Sequence, residues 1–116
     1  MGDRKQFTLS MPPSANRLWR MDKRGFMRKS AEAVNYYEVA GFEAIKQGVV
    51  ICSCDVAITL KVYRARKSGD LDNRIKPLLD ALQGVAFYDD KQVIEIHAYR
   101  FDDKNNPRVE VMIETR

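Results

Sequence analysis

Residues Asp55–Val62 read DVAITLKV, and their strict alternation constrains the fold more than any other feature of the chain. Val56, Ile58, Leu60 and Val62 point one way and Asp55, Ala57, Thr59 and Lys61 the other, the period of a half-buried strand. An apolar strand face needs a cover, and two helical segments can supply it. In the first, Ser30 is placed to cap a helix that runs to about Gln47, with Glu32 at its positive end and Gly48 ending it. Ala33, Tyr36, Tyr37, Ala40 and Ala44 form one face of that helix; Val39 and Phe42 fall outside it, which predicts a second covered surface, supplied by a partner chain. In the second, Leu71, Ile75, Leu78, Leu79 and Leu82 make a buried stripe, and Gly84 closes the element. Pro77 deprives the Asn73 carbonyl of its helical donor and predicts a kink, or a first turn split from the rest.

The remaining elements are shorter. Gln6–Met11 reads as a strand stopped by Pro12-Pro13. Residues 17–28 form a basic hairpin about an Asp22-Lys23-Arg24-Gly25 turn. Tyr88-Asp89-Asp90-Lys91 is a turn, after which Val93–Phe101 and Val109–Thr115 are expected to pair as a hairpin across Asp102–Pro107. The order β, hairpin, α, β, α, β, β predicts a single α+β domain over residues 1–116: a small mixed β-sheet covered mainly on one face by two helices, with a basic N-terminal hairpin.

A chain of 116 residues buries a core without staples, and no apolar run approaches the roughly 20 residues of a membrane span. No signal-peptide pattern is expected at the start, and a cytoplasmic location follows as the expectation. Cys52 and Cys54, two apart on a segment read as a strand, would share a face and be poorly placed to bond each other; two cysteines also fall short of a four-ligand zinc site. They read as reduced thiols in or beside the core.

The net charge of +4 is unevenly spread. Residues 1–30 carry eight Lys/Arg, among them Arg17, Arg20, Lys23, Arg24, Arg28 and Lys29, against Asp3 and Asp22. A second basic knot, Lys61, Arg64, Arg66 and Lys67, stands just before an acidic stretch at Asp70. Basic clusters flanking an acidic one suit a phosphodiester polymer brought to a cation-binding centre.

Asp70 falls at the N-cap of the second helix and Asp72 in its first turn, where acids commonly satisfy free amides. Asp72 and Lys76 are also spaced as an i, i+4 ion pair, and Asp89-Asp90 suits a turn. If the segment after Val85 returns Asp90 to the other two, three carboxylates converge. Like charges that close repel unless a divalent cation sits among them. Oxygen-only ligands favour Mg²⁺, with Mn²⁺ able to substitute. Such an ion polarises a phosphate and lowers the pKa of an attacking water, and Lys76 is placed to stabilise added negative charge.

Gly69–Leu82 (GDLDNRIKPLLDAL), then Phe87–Val93 (FYDDKQV), resembles the core motif of the RusA family of Holliday-junction resolvases, and Pro12–Asn16 (PPSAN) resembles the family's other recurring signature. The resemblance spans nearly the whole chain and implies catalytic and metal-binding carboxylates at Asp70, Asp72 and Asp90, with Lys76 the catalytic lysine. Asp90 rather than Asp89 aligns with the family's acid. It further implies a two-fold homodimer that nicks two opposed strands of a four-way DNA junction, with Mg²⁺ and no other small-molecule cofactor. Arg17, Arg20, Lys23, Arg24, Arg28, Lys29, Arg64, Arg66 and Lys67, with Asn16 and Asn73, are then the expected DNA contacts. The competing expectations are a metal-free DNA-binding protein and a nuclease of broader branched-DNA taste. His97, with Glu95 and Tyr99 on its strand face, reads as a surface or dimer-face residue, and Trp19 and Phe26 either stack on unpaired bases or pack the hairpin onto the body.

Overall fold

A computed structural model describes residues 3–65 and 70–116. Its elements are β1 (Arg4–Leu9), β2 (Trp19–Met21), β3 (Met27–Lys29), α1 (Ala31–Lys46), β4 (Val56–Arg64), α2 (Asp72–Leu82), β5 (Val93–Asp102) and β6 (Arg108–Thr115). Short 3-10 turns lie at Ala15–Arg17 and Asp90–Gln92. The domain is α+β, and its main sheet is mixed, as the element order predicts.

The alternating segment is the central strand. Val56, Ile58, Leu60 and Val62 are buried to 2% exposure or less, and Ala57 on the other face is buried too. A strand with this demand for cover on both flanks takes neighbours on both sides, in the order β1-β6-β4-β5. β6 runs antiparallel to β1 and to β4, while β5 is parallel to β4. The expected β5–β6 hairpin is therefore wrong: β4 lies between those strands. A strand followed by a helix and another strand is the ordinary route to a parallel neighbour, and a tight hairpin can join only antiparallel ones. The linker from β5 to β6 instead crosses the end of β4, where the Asp103 amide donates to the Arg64 carbonyl at 2.8 Å.

Both helices cover the same sheet face. Phe7, Leu9, Val109 and Val111 join the β4 side chains beneath Tyr36, Ala40 and Ala44 of α1 and Leu78, Ala81 and Leu82 of α2, with Phe87 filling the end of the layer. Ser30 caps α1 as expected: its hydroxyl accepts from the Ala33 amide at 3.0 Å and donates to the Arg17 carbonyl at 2.6 Å. At the other end, the Gln47 amide pairs with both backbone groups of Thr8, and the Glu43 carboxylate takes the amide and hydroxyl of Ser10. These side chains cap the outer edge of β1.

α2 starts one residue later than its acidic motif suggests. Leu71, in helical conformation and without a side-chain cap, occupies the N-cap position, so Asp70 stands outside the helix. The Arg74 amide closes the first turn on the Leu71 carbonyl at 3.0 Å rather than on an Asp70 side-chain cap. Pro77 does not split the helix, which is continuous from Asp72 to Leu82. Its ring is fully buried, and that apolar contact offsets the one hydrogen bond it forfeits.

The basic hairpin also forms. β2 and β3 pair from Trp19–Lys29 to Met21–Met27, and the Asp22 amide donates to the Phe26 carbonyl at 2.8 Å. Gly25, at φ +87°, makes the turn, and a side chain there would be strained.

Candidate active site

α2 carries the chain from the Arg64 end of β4 back to its Val56 end, where β5 begins. Asp70 and Asp72 therefore stand at the start of α2, whereas Asp90 lies in the 3-10 turn just before β5. All three are exposed. An 11-residue helix is roughly 16 Å long. Among the described residues no three His, Cys, Asp or Glu side chains lie close enough together to hold a metal ion. The structure thus does not gather the three acids, but it does bring Asp90 within electrostatic reach of Lys76 on α2.

Lys76 is engaged, though not by the partner its spacing suggested. Its ammonium meets Asp80 at 2.7 Å, one turn onward, rather than Asp72. The Asp80 hydrogen bond is the main reason Lys76 is held above the usual lysine range, with the Asp80 and Asp90 charges adding to it. The Tyr37 hydroxyl donates to the same carboxylate at 3.4 Å. Burial, followed by the Asp80 charge and hydrogen bond, pushes the Tyr37 phenol up to about 12. The Lys29 ammonium lies 5.5 Å from the Tyr37 ring centroid. A chain of contacts thus runs from the basic hairpin through Tyr37 and Asp80 to Lys76. Sequence reasoning missed Asp80, although its i, i+4 spacing from Lys76 is the same signal that it read for Asp72.

Asp70 and Asp72 have no hydrogen-bond or ion-pair partner among the described residues. Two neighbouring, unpartnered carboxylates with no thiol or imidazole beside them are a hard-oxygen donor set. Mg²⁺ takes one or two carboxylates and completes its shell with water and phosphate oxygens, so the chemistry of this pair fits that ion. Asp89 belongs to a different job: its carboxylate accepts from the Lys91 amide while the Gln92 side chain accepts from the Asp89 amide, a reciprocal cap of the 3-10 turn. The Lys91 hydrogen bond is the chief cause of its lowered pKa, and a contact with Asp90 adds to it.

A second join links α2 to the Pro12–Asn16 loop. The Arg74 guanidinium donates to the Pro12 carbonyl at 2.6 Å, and a groove of about 480 Å³ opens there between Pro12, Ser14, Arg17, Glu32, Tyr36 and Arg74. Asn16 is exposed beside this groove's Arg17, and Asn73 is half-buried in the first turn of α2. Sequence reasoning passed over Arg74, and only the fold reveals that it clamps the two motifs together.

The other expected DNA contacts divide into free and engaged. Arg20, Lys23 and Arg24 are exposed on the hairpin, Arg24 with its guanidinium 5.8 Å from the Phe26 ring centroid. Arg28 is paired with Asp22 at 2.7 Å and Arg17 with Glu32 at 3.9 Å, both near the surface. Arg64 is mostly buried and bonds Asp102 at 2.6 Å. Arg66 and Lys67 lie outside the described residues. Trp19 and Phe26 are 52% and 62% exposed, so they do not pack the hairpin onto the body. His97 is exposed, 3.9 Å from Glu95.

The described residues thus combine an exposed basic hairpin with an unpartnered acidic helix start in one α+β domain. The chain belongs to the RusA family of endodeoxyribonucleases, whose family model matches residues 10–114. Membership brings with it endonuclease activity on Holliday junctions, DNA binding and a part in recombination. No curated protein matches the chain. No helix among the described residues is long and apolar enough to cross a membrane.

Proposed function

We propose that this protein resolves four-way DNA junctions as a Mg²⁺-dependent homodimer, cutting two opposed strands by paired phosphodiester hydrolysis. The observation that supports this best is the family match over residues 10–114, with the two unpartnered carboxylates Asp70 and Asp72 at the start of α2. Asp70 and Asp72 would hold the cation; Asp90, which the motif assigns to the same ligand set, stands apart from them and would have to approach to complete it. When bound, Mg²⁺ supplies charge neutralisation at the scissile phosphate and a more acidic water. Lys76, positioned by its ion pair with Asp80, places a positive charge where negative charge grows in the transition state. The hairpin cations hold backbone phosphates and set the register of the junction without reading bases.

A two-fold dimer matches the approximate two-fold symmetry of a junction and supplies one site per cut strand. Its interface would cover the apolar side of α1 that the sheet leaves open, where Val39, Phe42 and Ile45 are 41%, 67% and 63% exposed. Cytoplasmic work suits such an enzyme.

The deciding experiment offers synthetic four-way junctions and linear duplex of matching sequence at equal salt, with Mg²⁺ present. Paired nicks in the junction alone, lost in Asp72→Asn with junction binding kept, are the expected result. Binding without cutting under every divalent ion tried would instead establish a metal-free binding protein, and equal cutting of duplex a broader nuclease.

A further inference from the structure

The two cysteines do not behave as a strand pair. Cys52 lies in an irregular segment before β4, bridged to Phe87 through its amide, which donates to the Ala86 carbonyl at 3.0 Å. The chain turns at once, and the Cys54 amide folds back to donate to the Cys52 sulfur at 3.3 Å. The two sulfurs therefore stand 2.6 Å apart, Cys54 exposed and Cys52 half-buried, contrary to the expectation that such neighbours are poorly placed to bond each other. A groove of about 500 Å³, bordered by Arg4, Lys5, Val50 and Ile51, leads to both sulfurs. A small molecule can reach them there.

The same segment is stitched to the turn that bears Asp89 and Asp90. The Gln92 side-chain amide donates to the Cys52 and Cys54 carbonyls, both at 2.8 Å. Its oxygen accepts from the Tyr88 and Asp89 amides at 2.8 and 3.0 Å. One side chain thus holds the two thiol-bearing peptides on one hand and the Asp89–Asp90 turn on the other.

We propose that Cys52 and Cys54 form a reversible dithiol–disulfide couple whose state reaches the Asp89–Asp90 turn through Gln92. The co-reactant is a small-molecule disulfide. The Cys54 thiolate attacks one of its sulfurs, breaking that S–S bond and releasing one thiol; the mixed disulfide so formed is attacked by the Cys52 thiolate, which releases the second thiol and leaves the Cys52–Cys54 bond. Two electrons pass to the reagent, and the two protons given up by the cysteines end on the released thiols. Closing the bond draws the sulfurs together by about 0.5 Å and fixes the torsions of the peptides between them, so the change is felt at the Cys52 and Cys54 carbonyls that Gln92 holds. The redox chemistry is independent of the nuclease reading; only its consequence for Asp90 rests on that reading.

The test equilibrates the folded protein with mixtures of reduced and oxidised glutathione, quenches with acid and weighs the products. The expected product has lost two hydrogens and carries no adduct, favoured over the glutathione adduct at least about tenfold. Cys54→Ser, altered at an exposed position, should instead keep its remaining thiol free or carry glutathione. A wild-type protein that accumulates stable glutathione adducts, or links two chains together, overturns the couple. Backbone hydrogen exchange then reads the link: Lys91 and Gln92 amides should change rate severalfold on oxidation, and Gln92→Ala should abolish that response while still forming the disulfide. Equal exchange in both redox states overturns the link. Neither measurement involves cleavage, so failure here and failure of the metal-dependent mechanism are told apart.

Discussion

Lys76 shows how a neighbour changes what a single residue contributes. Its side chain is 58% exposed, and the Asp80 hydrogen bond is the main reason its pKa stands above the usual range. A raised lysine stabilises the folded state below its unfolded pKa, and that contribution fades as pH climbs through the folded value. Asp80→Asn should therefore lower the Lys76 pKa, followed by NMR of the side-chain carbon next to Nζ, and reduce cleavage by roughly tenfold. Lys76→Ala should cost more, about 10²–10³-fold, as expected for removal of a transition-state partner. If Asp80→Asn leaves both the Lys76 titration and the rate unchanged, Asp80 does not position it. Asp22 gives the acidic counterpart. Its hydrogen bond from Arg28 is the chief cause of its lowered pKa, so it supports the hairpin turn above the unfolded carboxylate range and loses that effect as pH falls through the folded value. The Arg24 and Phe26 amide resonances, whose protons it accepts, should move together at that acid midpoint.

Between elements, much depends on a few polar side chains that tie one segment to another. Ser30 is buried to 3% exposure and serves α1 and the hairpin at once, through the Ala33 amide and the Arg17 carbonyl. Ser30→Ala should cost about 1–2 kcal/mol in urea unfolding, at the upper end for a lost cap because a carbonyl is also left without its donor. A change of a few tenths would mean water replaces the hydroxyl. The Ser30 cap, the Gly25 turn and the alternation at Asp55–Val62 were all legible, because each rests on residues adjacent in sequence. The β5–β6 pairing was not, since periodicity assigns a strand its faces and says nothing of its neighbours. The same limit explains Arg74, whose role appears only once the Pro12–Asn16 loop is folded against it. Asp80 did carry an i, i+4 signal to Lys76, and the Cys52–Cys54 contact is local but was hidden because the segment was read as a strand. The three acids mark the opposite case: the family motif made them prominent, while the α2 that separates Asp72 from Asp90 was visible only as a length.

At the scale of the whole molecule, charge and exposed apolar surface point to two different partners. The hairpin faces solvent with Arg20, Lys23 and Arg24, and removing any one of these cations should weaken junction binding and flatten its salt dependence. Lys23→Ala should reduce the slope of log K against log salt by about one, with little change in sequence preference. The apolar side of α1 should meet a second copy. Sedimentation equilibrium should then give a dimer that Phe42→Asp converts to monomer, without loss of the α+β circular dichroism signal; a wild-type monomer at working concentration would remove the symmetric mechanism.

The place of β6 has a consequence for synthesis. It is made after both β1 and β4, yet it lies between them, so neither of those can find this neighbour earlier. Until then the parallel β4–β5 pair is the one main-sheet pairing, among the described strands, for which both partners have been made. An enzyme that cuts DNA is in this way kept from assembling its scaffold until translation has passed every residue of its proposed active site.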